Sequence, residues 1–180
     1  MKLLRILPEL IVDARGAEIA EAAAVLPLMF MILLGIFWFG QAFSIYGAIT
    51  RAAQDGARAG ALPYCTTCTG PNTPVVNAVN AVQNSLTVSH LNVSLARQPI
   101  PPPVINSCGG GTSGTCNALG GTNVCVQAPV QLSTPTAGAA GVCGVSVSFQ
   151  YPFQFWLPFT SLNNQRIWLT ASARARTEAP

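Results

Sequence analysis

Two sets of residues in this 180-residue chain have types and spacing that could support chemistry. The first is Gly16, Ala17 and Glu21. Glu21 stands at the head of an apolar run, and from Ala22 to Thr50 no charged side chain occurs. A carboxylate at the edge of such a run is costly to bury unless it finds a partner. Cutting the chain after Gly16 would expose the Ala17 amine, and that ammonium could neutralise Glu21 on a neighbouring copy in a helical bundle. Without a cut, Glu21 only marks a membrane–water boundary. The second set is the six cysteines, Cys65, Cys68, Cys108, Cys116, Cys125 and Cys143, all beyond the apolar run. An even number of thiols confined to one side of a membrane reads as disulfides in an oxidising compartment.

Other chemistries find no residues. There is one histidine, His90, which reads as a surface or turn residue. The acids are Glu9, Asp13, Glu18, Glu21, Asp55 and Glu178, so no carboxylate pair can flank a cleft between Gly56 and Thr177. Cys65-Thr-Thr-Cys68 follows a helix end rather than opening a helix after a strand, and no second pair stands at zinc-ligand spacing. Gly109 to Gly114 lacks the Gly-Lys-Ser/Thr ending of a phosphate loop. The sequence therefore predicts no catalytic residue, no metal and no cofactor. Charged residues make up 8% of the chain, the net charge is +3 and the basic residues are scattered. No phosphate-tracking patch can be drawn, and nucleic acid is not expected as a partner.

The elements that must position these residues follow from hydrophobic patterning. About 20 apolar residues at about 1.5 Å each cross a bilayer core of about 30 Å. Arg15 to Phe43 meets that length and predicts a membrane helix, with Pro27 inside it where neighbouring helices can satisfy the freed carbonyl. Ile45, Ala48, Ile49, Ala52, Ala53 and Ala57 recur at helical spacing, so the helix should continue from Ser44 to about Ala61, where Gly60 and Pro63 stop it. Arg51 and Asp55 are placed for an i, i+4 pair. An ordinary secretory signal is the competing reading of this end, but Ala59-Gly60-Ala61 lies far beyond the apolar run.

Beyond Pro63 the domain is loop-rich, as its share of the 16 Gly and 14 Pro implies. Thr73 to Leu86 predicts an amphipathic helix capped by Thr73, with Val75, Val79, Val82 and Leu86 as its stripe. Val88 to Ala96 predicts a strand, Gln98 to Gly121 a loop, and Asn123 to Gln127 a short strand. Val145 to Tyr151 alternates, with Val145, Val147, Phe149 and Tyr151 on one face. Arg166 to Arg176 predicts a final strand with Ile167, Leu169, Ala171, Ala173 and Ala175 inward. The aromatic residues from Tyr151 to Phe159 are expected in the core between sheet and long helix. For the cysteines, spacing favours local closures: Cys65 with Cys68, Cys108 with Cys116, and Cys125 with Cys143.

The residues from Arg15 to Phe43, followed by Ile49 to Ala61, resemble the N-terminal signature of TadE-like proteins, the pseudopilins of the tight adherence (Tad) pilus. The positions that carry the resemblance are Gly16, Glu21, Pro27, Gly35, Phe39, Gly40 and Gly56-Ala57-Arg58. Ala22 departs from the pattern, since the family often has an aromatic there, and Glu18 adds an acid between the expected cut and Glu21. The ending, with its proline-aromatic turn and Ile167-Trp-Leu-Thr-Ala-Ser-Ala173, is similar as well. The resemblance implies an α+β, pilin-like fold: a long N-terminal transmembrane helix, then a small domain with an antiparallel sheet and disulfide-braced loops. It implies a leader at 1–16, a transmembrane helix at 17–43, a helix extension at 44–62 and an extracytoplasmic domain at 63–180. It implies a minor pseudopilin supporting assembly of an adhesive pilus, with Gly16 and Ala17 as the processing site and Glu21 and Pro27 in helix packing. Expected partners are other pilin or pseudopilin subunits, a prepilin peptidase, the inner-membrane assembly platform and membrane lipid. The alternative is an uncleaved, signal-anchored periplasmic binding module.

Overall fold

The computed structural model describes residues 14–62, 73–108, 112–113, 116, 123–133, 141–154 and 166–177. Residues 1–13, which hold most of the expected leader, Cys65 and Cys68, Gly109 to Gly111, and the aromatic residues Phe155, Trp156 and Phe159 lie outside them. The chain divides into two compact units between Phe43 and Ser44. The long helix α1, Ala14–Ala61, contributes to both and runs through Pro27 without interruption.

In the second unit, the sequence pattern becomes a layer of helix on sheet. Along α1, Ile49, Ala52, Ala53 and Ala57 are fully or almost fully buried, at the helical spacing read from the sequence. Helix α2, Pro74–Val88, starts where a cap and a proline coincide: Thr73 Oγ1 accepts a hydrogen bond from Val76 N–H at 3.3 Å. Its buried residues are Ala78, Val79, Val82 and Leu86. Small residues let the two helices approach closely. A Cβ on Gly56 would collide with Val82 Cγ2 and lie 3.0 Å from the Ala78 carbonyl oxygen. Gly60 is nearly as tight, 3.1 Å from Ala78 Cβ and from Val145 Cγ1. Asp55 on α1 accepts a hydrogen bond from Ser85 Oγ on α2 at 3.1 Å, a tie between the helices that the spacing with Arg51 did not announce.

The expected strand at Val88 to Ala96 does not form. Instead α2 ends in a Schellman turn: His90 N–H donates to Thr87 O at 3.0 Å and Leu91 N–H to Leu86 O at 2.9 Å. His90 takes the left-handed position of that turn, with φ 57°, and is exposed. Leu91 packs back on the core, and a short 3₁₀ turn, Val93–Leu95, comes next. Leu91 and Val93 thus belong to a turn folded on the core rather than to a pleated strand, and Leu95 is exposed. A left-handed residue with a Cβ costs about 1 kcal/mol, so His90→Gly is expected to raise the thermal midpoint by a few degrees. A lowered midpoint would show that the imidazole itself contributes to stability.

A small hairpin pairs β1, Ile105–Asn106, with β2, Thr112–Ser113. The main sheet consists of β3 at Cys125–Gln131, β4 at Cys143–Gln154 and β5 at Arg166–Arg176. They lie in the order β3-β4-β5, all antiparallel. The β3–β4 ladder shifts register between Gln127 and Val130, where Pro129 has no N–H to donate. One face of the sheet carries Val126, Val145, Val147, Phe149, Tyr151 and Ala171, and these join the α1 and α2 residues in one core. Within the expected aromatic core, Tyr151 and Phe153 are buried, and the Tyr151 hydroxyl accepts from Asn92 N–H at 3.1 Å.

The second face is polar, yet over β3 and β4 it is buried as well. Gln127, Ser146 and Ser148 are each under 5% exposed. The segment from Arg97 to Cys108 straps over them. Arg97 and Gln150 exchange backbone hydrogen bonds of 2.9 and 2.7 Å, and Gln127 Nε2 donates to Pro103 O at 2.8 Å. Two disulfides tie loop residues to the sheet: Cys116–Cys125, with a Cα–Cα distance of 4.8 Å and with Cys125 on the polar face opposite Ser148, and Cys108–Cys143, at 5.9 Å, with Cys143 at the strand parity of Val145. These bonds correct the expected local pairings of Cys108 with Cys116 and Cys125 with Cys143. The reason is register. Cys125 faces Ser148 and Cys143 faces Gln131, so the two cysteines sit at opposite ends of the β3–β4 ladder. Several residues at about 3.3 Å each separate them, well beyond disulfide reach. Cys108 is held beside the Cys143 end by its N–H bond to Pro129 O at 3.3 Å and by the Ser107–Val130 bridge.

Candidate functional site

The residues singled out for processing and assembly all fall on α1. Gly16, Glu18 and Glu21 are exposed. The Gly16–Ala17 peptide lies within the helix, near its start, and the Ala17 side chain lies outside the described residues. Ala17 and Glu21 are four positions apart, so they share a helix face about 6 Å apart along the axis. A new ammonium at Ala17 would thus stand one turn from the Glu21 carboxylate of its own chain, and within reach of a copy staggered by about a turn.

From Ala22 to Gly40 the helix has no polar face. Leu28, Met29, Phe30, Met31, Ile32, Leu33 and Leu34 are consecutive, and every one is more than 40% exposed. Ile36, Phe37, Phe39 and Phe43 continue the pattern, and Phe37 meets Trp38 edge to face at 5.5 Å. Each such side chain gains about 1.5–3 kcal/mol on leaving water. Exposed on every side, they add up to a penalty no isolated helix in water could carry. The helix needs lipid, other helices, or both around it. The stretch Glu18–Ala61 is long and apolar enough to cross a membrane. Gly35, Gly40 and Gly47 have nothing within 4 Å of a would-be Cβ, unlike Gly56 and Gly60. Two kinds of glycine therefore share this helix: those near its middle face open space, and those near its end accommodate α2.

The cysteines form the other predicted set. Four of them brace the sheet through the two bonds above, so their role is structural. Cys65 and Cys68 lie outside the described residues. Among the described residues no group of three or more His, Cys, Asp or Glu gathers at a point where a metal ion could be held. Sequence patterns did not reveal the strap over the polar face or the left-handed turn at His90. The only signals for them were Gln127, Ser146 and Ser148 inside strands and a non-glycine at a helix end.

No curated protein and no solved structure matches the chain. The final strand, β5, lies outside the segment that the family match covers. That segment is the helical stretch holding Gly16, Glu21, Pro27 and Gly56-Ala57-Arg58, and it is TadE-like: residues 16–58 match the model of the family described as TadE-like protein.

Proposed function

We propose that this chain is a minor pseudopilin that supports assembly of a Tad-type pilus from the inner membrane. The family match associates it with the Tad pilus. The observation that carries the finer reading is the helix after Glu21, apolar on every side and preceded by Gly16 and two exposed carboxylates. Such a helix suits two successive environments, a bilayer before assembly and a bundle of like helices afterwards. In this reading a prepilin peptidase cuts after Gly16, and the Ala17 ammonium neutralises Glu21 as subunits pack. The leader faces the cytoplasm, and the domain after Phe43 stands in the periplasm. Two disulfides in that domain support this orientation, because such bonds persist in an oxidising compartment. Its partners are other pilin or pseudopilin subunits, the peptidase, the assembly platform and surrounding lipid, and it carries no enzymatic role.

The test is the N-terminal sequence and intact mass of the protein from its native membrane, with and without the peptidase. A mature chain that begins at Ala17 only when the peptidase is present is the expected result. A chain that still begins at Met1 in its presence would leave a signal-anchored periplasmic module instead, with Glu21 as a boundary residue.

A further inference from the structure

Between Gly56 and Thr177 the chain contains no aspartate and no glutamate, and its arginines in that stretch are Arg58, Arg97, Arg166, Arg174 and Arg176. Far apart in sequence, all but Arg58 come together on the polar face of the sheet. Arg166, Arg174 and Arg176 share the even-numbered face of β5 and are exposed. Thr170 and Ser172 lie between them on the same face, also exposed. Cross-strand register fixes that face: Arg174 opposes the buried Ser146, Ser172 opposes Ser148, and Thr170 opposes Gln150. Arg97 reaches the same surface from the strap. Its guanidinium lies 3.2 Å from the centroid of the Trp168 ring, and its Nε donates to Gln150 Oε1 at 3.1 Å. Gln150 Nε2 in turn donates to Thr170 Oγ1 at 3.2 Å.

The strap and the Cys116–Cys125 disulfide cover this face over β3 and β4 but leave β5 open. What remains is a track about 33 Å long, at about 3.3 Å per residue from Arg166 to Arg176, lined by guanidiniums, hydroxyls and one amide. Asp55, the one described carboxylate of this unit, lies on α1, which packs on the opposite face. Glu178 lies outside the described residues. The positive charge of the track is therefore uncompensated among the described residues.

We infer that the open face of β5, with Arg97, Arg166, Arg174 and Arg176, binds an extended acidic polysaccharide. Guanidiniums take carboxylates in paired hydrogen bonds, and the intervening Thr170, Ser172 and Gln150 match the hydroxyls of a sugar chain. Single-stranded nucleic acid fits less well, because it needs free aromatic faces for its bases and Arg97 already lies over Trp168. A bilayer surface fits less well too, since the stripe offers no aliphatic or phenyl side chain to insert between headgroups. The inference does not depend on the pilus reading.

The test uses the full chain in a neutral detergent, with polygalacturonate as probe and neutral dextran, soluble glycerophosphoglycerol (the phosphatidylglycerol headgroup) and oligo(dT) as comparisons. The expected result is polygalacturonate binding that weakens as salt rises from about 50 to about 300 mM, with no binding to dextran. Replacing Arg174 and Arg176 together by serine should lower the affinity on the order of tenfold. Replacing Arg51, an exposed arginine on α1, should leave it unchanged. Circular dichroism and disulfide mapping on each variant confirm that the domain is intact. If Arg51→Ser weakens binding as much as the pair does, or if glycerophosphoglycerol or oligo(dT) binds more tightly than polygalacturonate, the assignment is wrong. Absence of polygalacturonate binding at about 50 mM salt would also overturn it, leaving the arginines as a charged guard on an edge strand.

Discussion

Gly56→Leu is expected to abolish folding of the domain that begins at Ser44, while the apolar part of α1 still inserts in a membrane. Position 56 is where α1 lies against α2. Even a single Cβ there would overlap Val82 Cγ2 and press on the Ala78 carbonyl oxygen at 3.0 Å. The valine methyl can rotate aside, but the carbonyl belongs to the backbone of α2 and cannot move without shifting that helix. Helix propensity works in the other direction, since Gly costs about 1 kcal/mol against Ala in a helix interior. Overpacking of a close-packed core costs typically about 1–3 kcal/mol for small insertions, so after the gain of about 1 kcal/mol in propensity Gly56→Ala should be destabilised by up to about 2 kcal/mol. Leucine, with three further carbons and no cavity to enter, should exceed the stability of a domain of this size. The measurement is thermal unfolding by circular dichroism in detergent, with Gly47→Ala alongside. Gly47 has nothing within 4 Å of its would-be Cβ, so that variant should melt at or above the parent. A Gly56→Ala protein more stable than the parent would show that α1 and α2 do not approach this closely.

Glu21→Ala is the second large effect, and it should appear in assembly rather than in folding. Glu21 is exposed and lies outside the unit that holds the core, so its loss should change neither membrane insertion nor the thermal midpoint of the domain. A bare carboxylate within a bundle of apolar helices costs several kcal/mol unless a cation meets it. If the Ala17 ammonium is that cation, removing Glu21 strands the amine, and assembly should fall by an order of magnitude or more. Comparing membrane-inserted subunit with subunit recovered in sheared pilus fractions or in cross-linked complexes reads this directly. Normal assembly of Glu21→Ala would eliminate the charge pair and leave the apolar helix alone as the basis of packing. The Glu21→Gln variant separates charge from size and should resemble alanine rather than the parent.

Much of this protein is decided by local pattern. Helix α1 is written in an uncharged run and in the alanine spacing beyond it; both signals act within a few turns and need no tertiary context. The same holds for α2, whose cap at Thr73 and stripe of Val79, Val82 and Leu86 are legible in the residues themselves. Strand β5 runs from Arg166 to Arg176 as its alternation indicates. The residues proposed for processing and packing, Gly16, Glu21 and Pro27, lie in one continuous segment, so that proposal too rests on local pattern.

Other features depend on what lies opposite, and no local pattern contains that. Spacing favoured Cys108 with Cys116 and Cys125 with Cys143, but antiparallel register set Cys125 against Ser148 and Cys143 against Gln131, and the pairing obeyed the register. Leu91, Val93 and Leu95 alternate as a strand would, yet the left-handed turn at His90 folds Leu91 and Val93 back on the core and leaves Leu95 exposed. Gly56 looks like any helical glycine until α2 is packed against it. The arginines, scattered along the sequence, form one open track only because β5 is an edge strand and the strap brings Arg97 over Trp168. Composition and periodicity determined which segments are helix, strand and membrane-apolar, since those preferences belong to the residues themselves. Tertiary structure decided which cysteines bond, which glycines are indispensable and where charge accumulates, because each of these is a relation between segments distant in the chain.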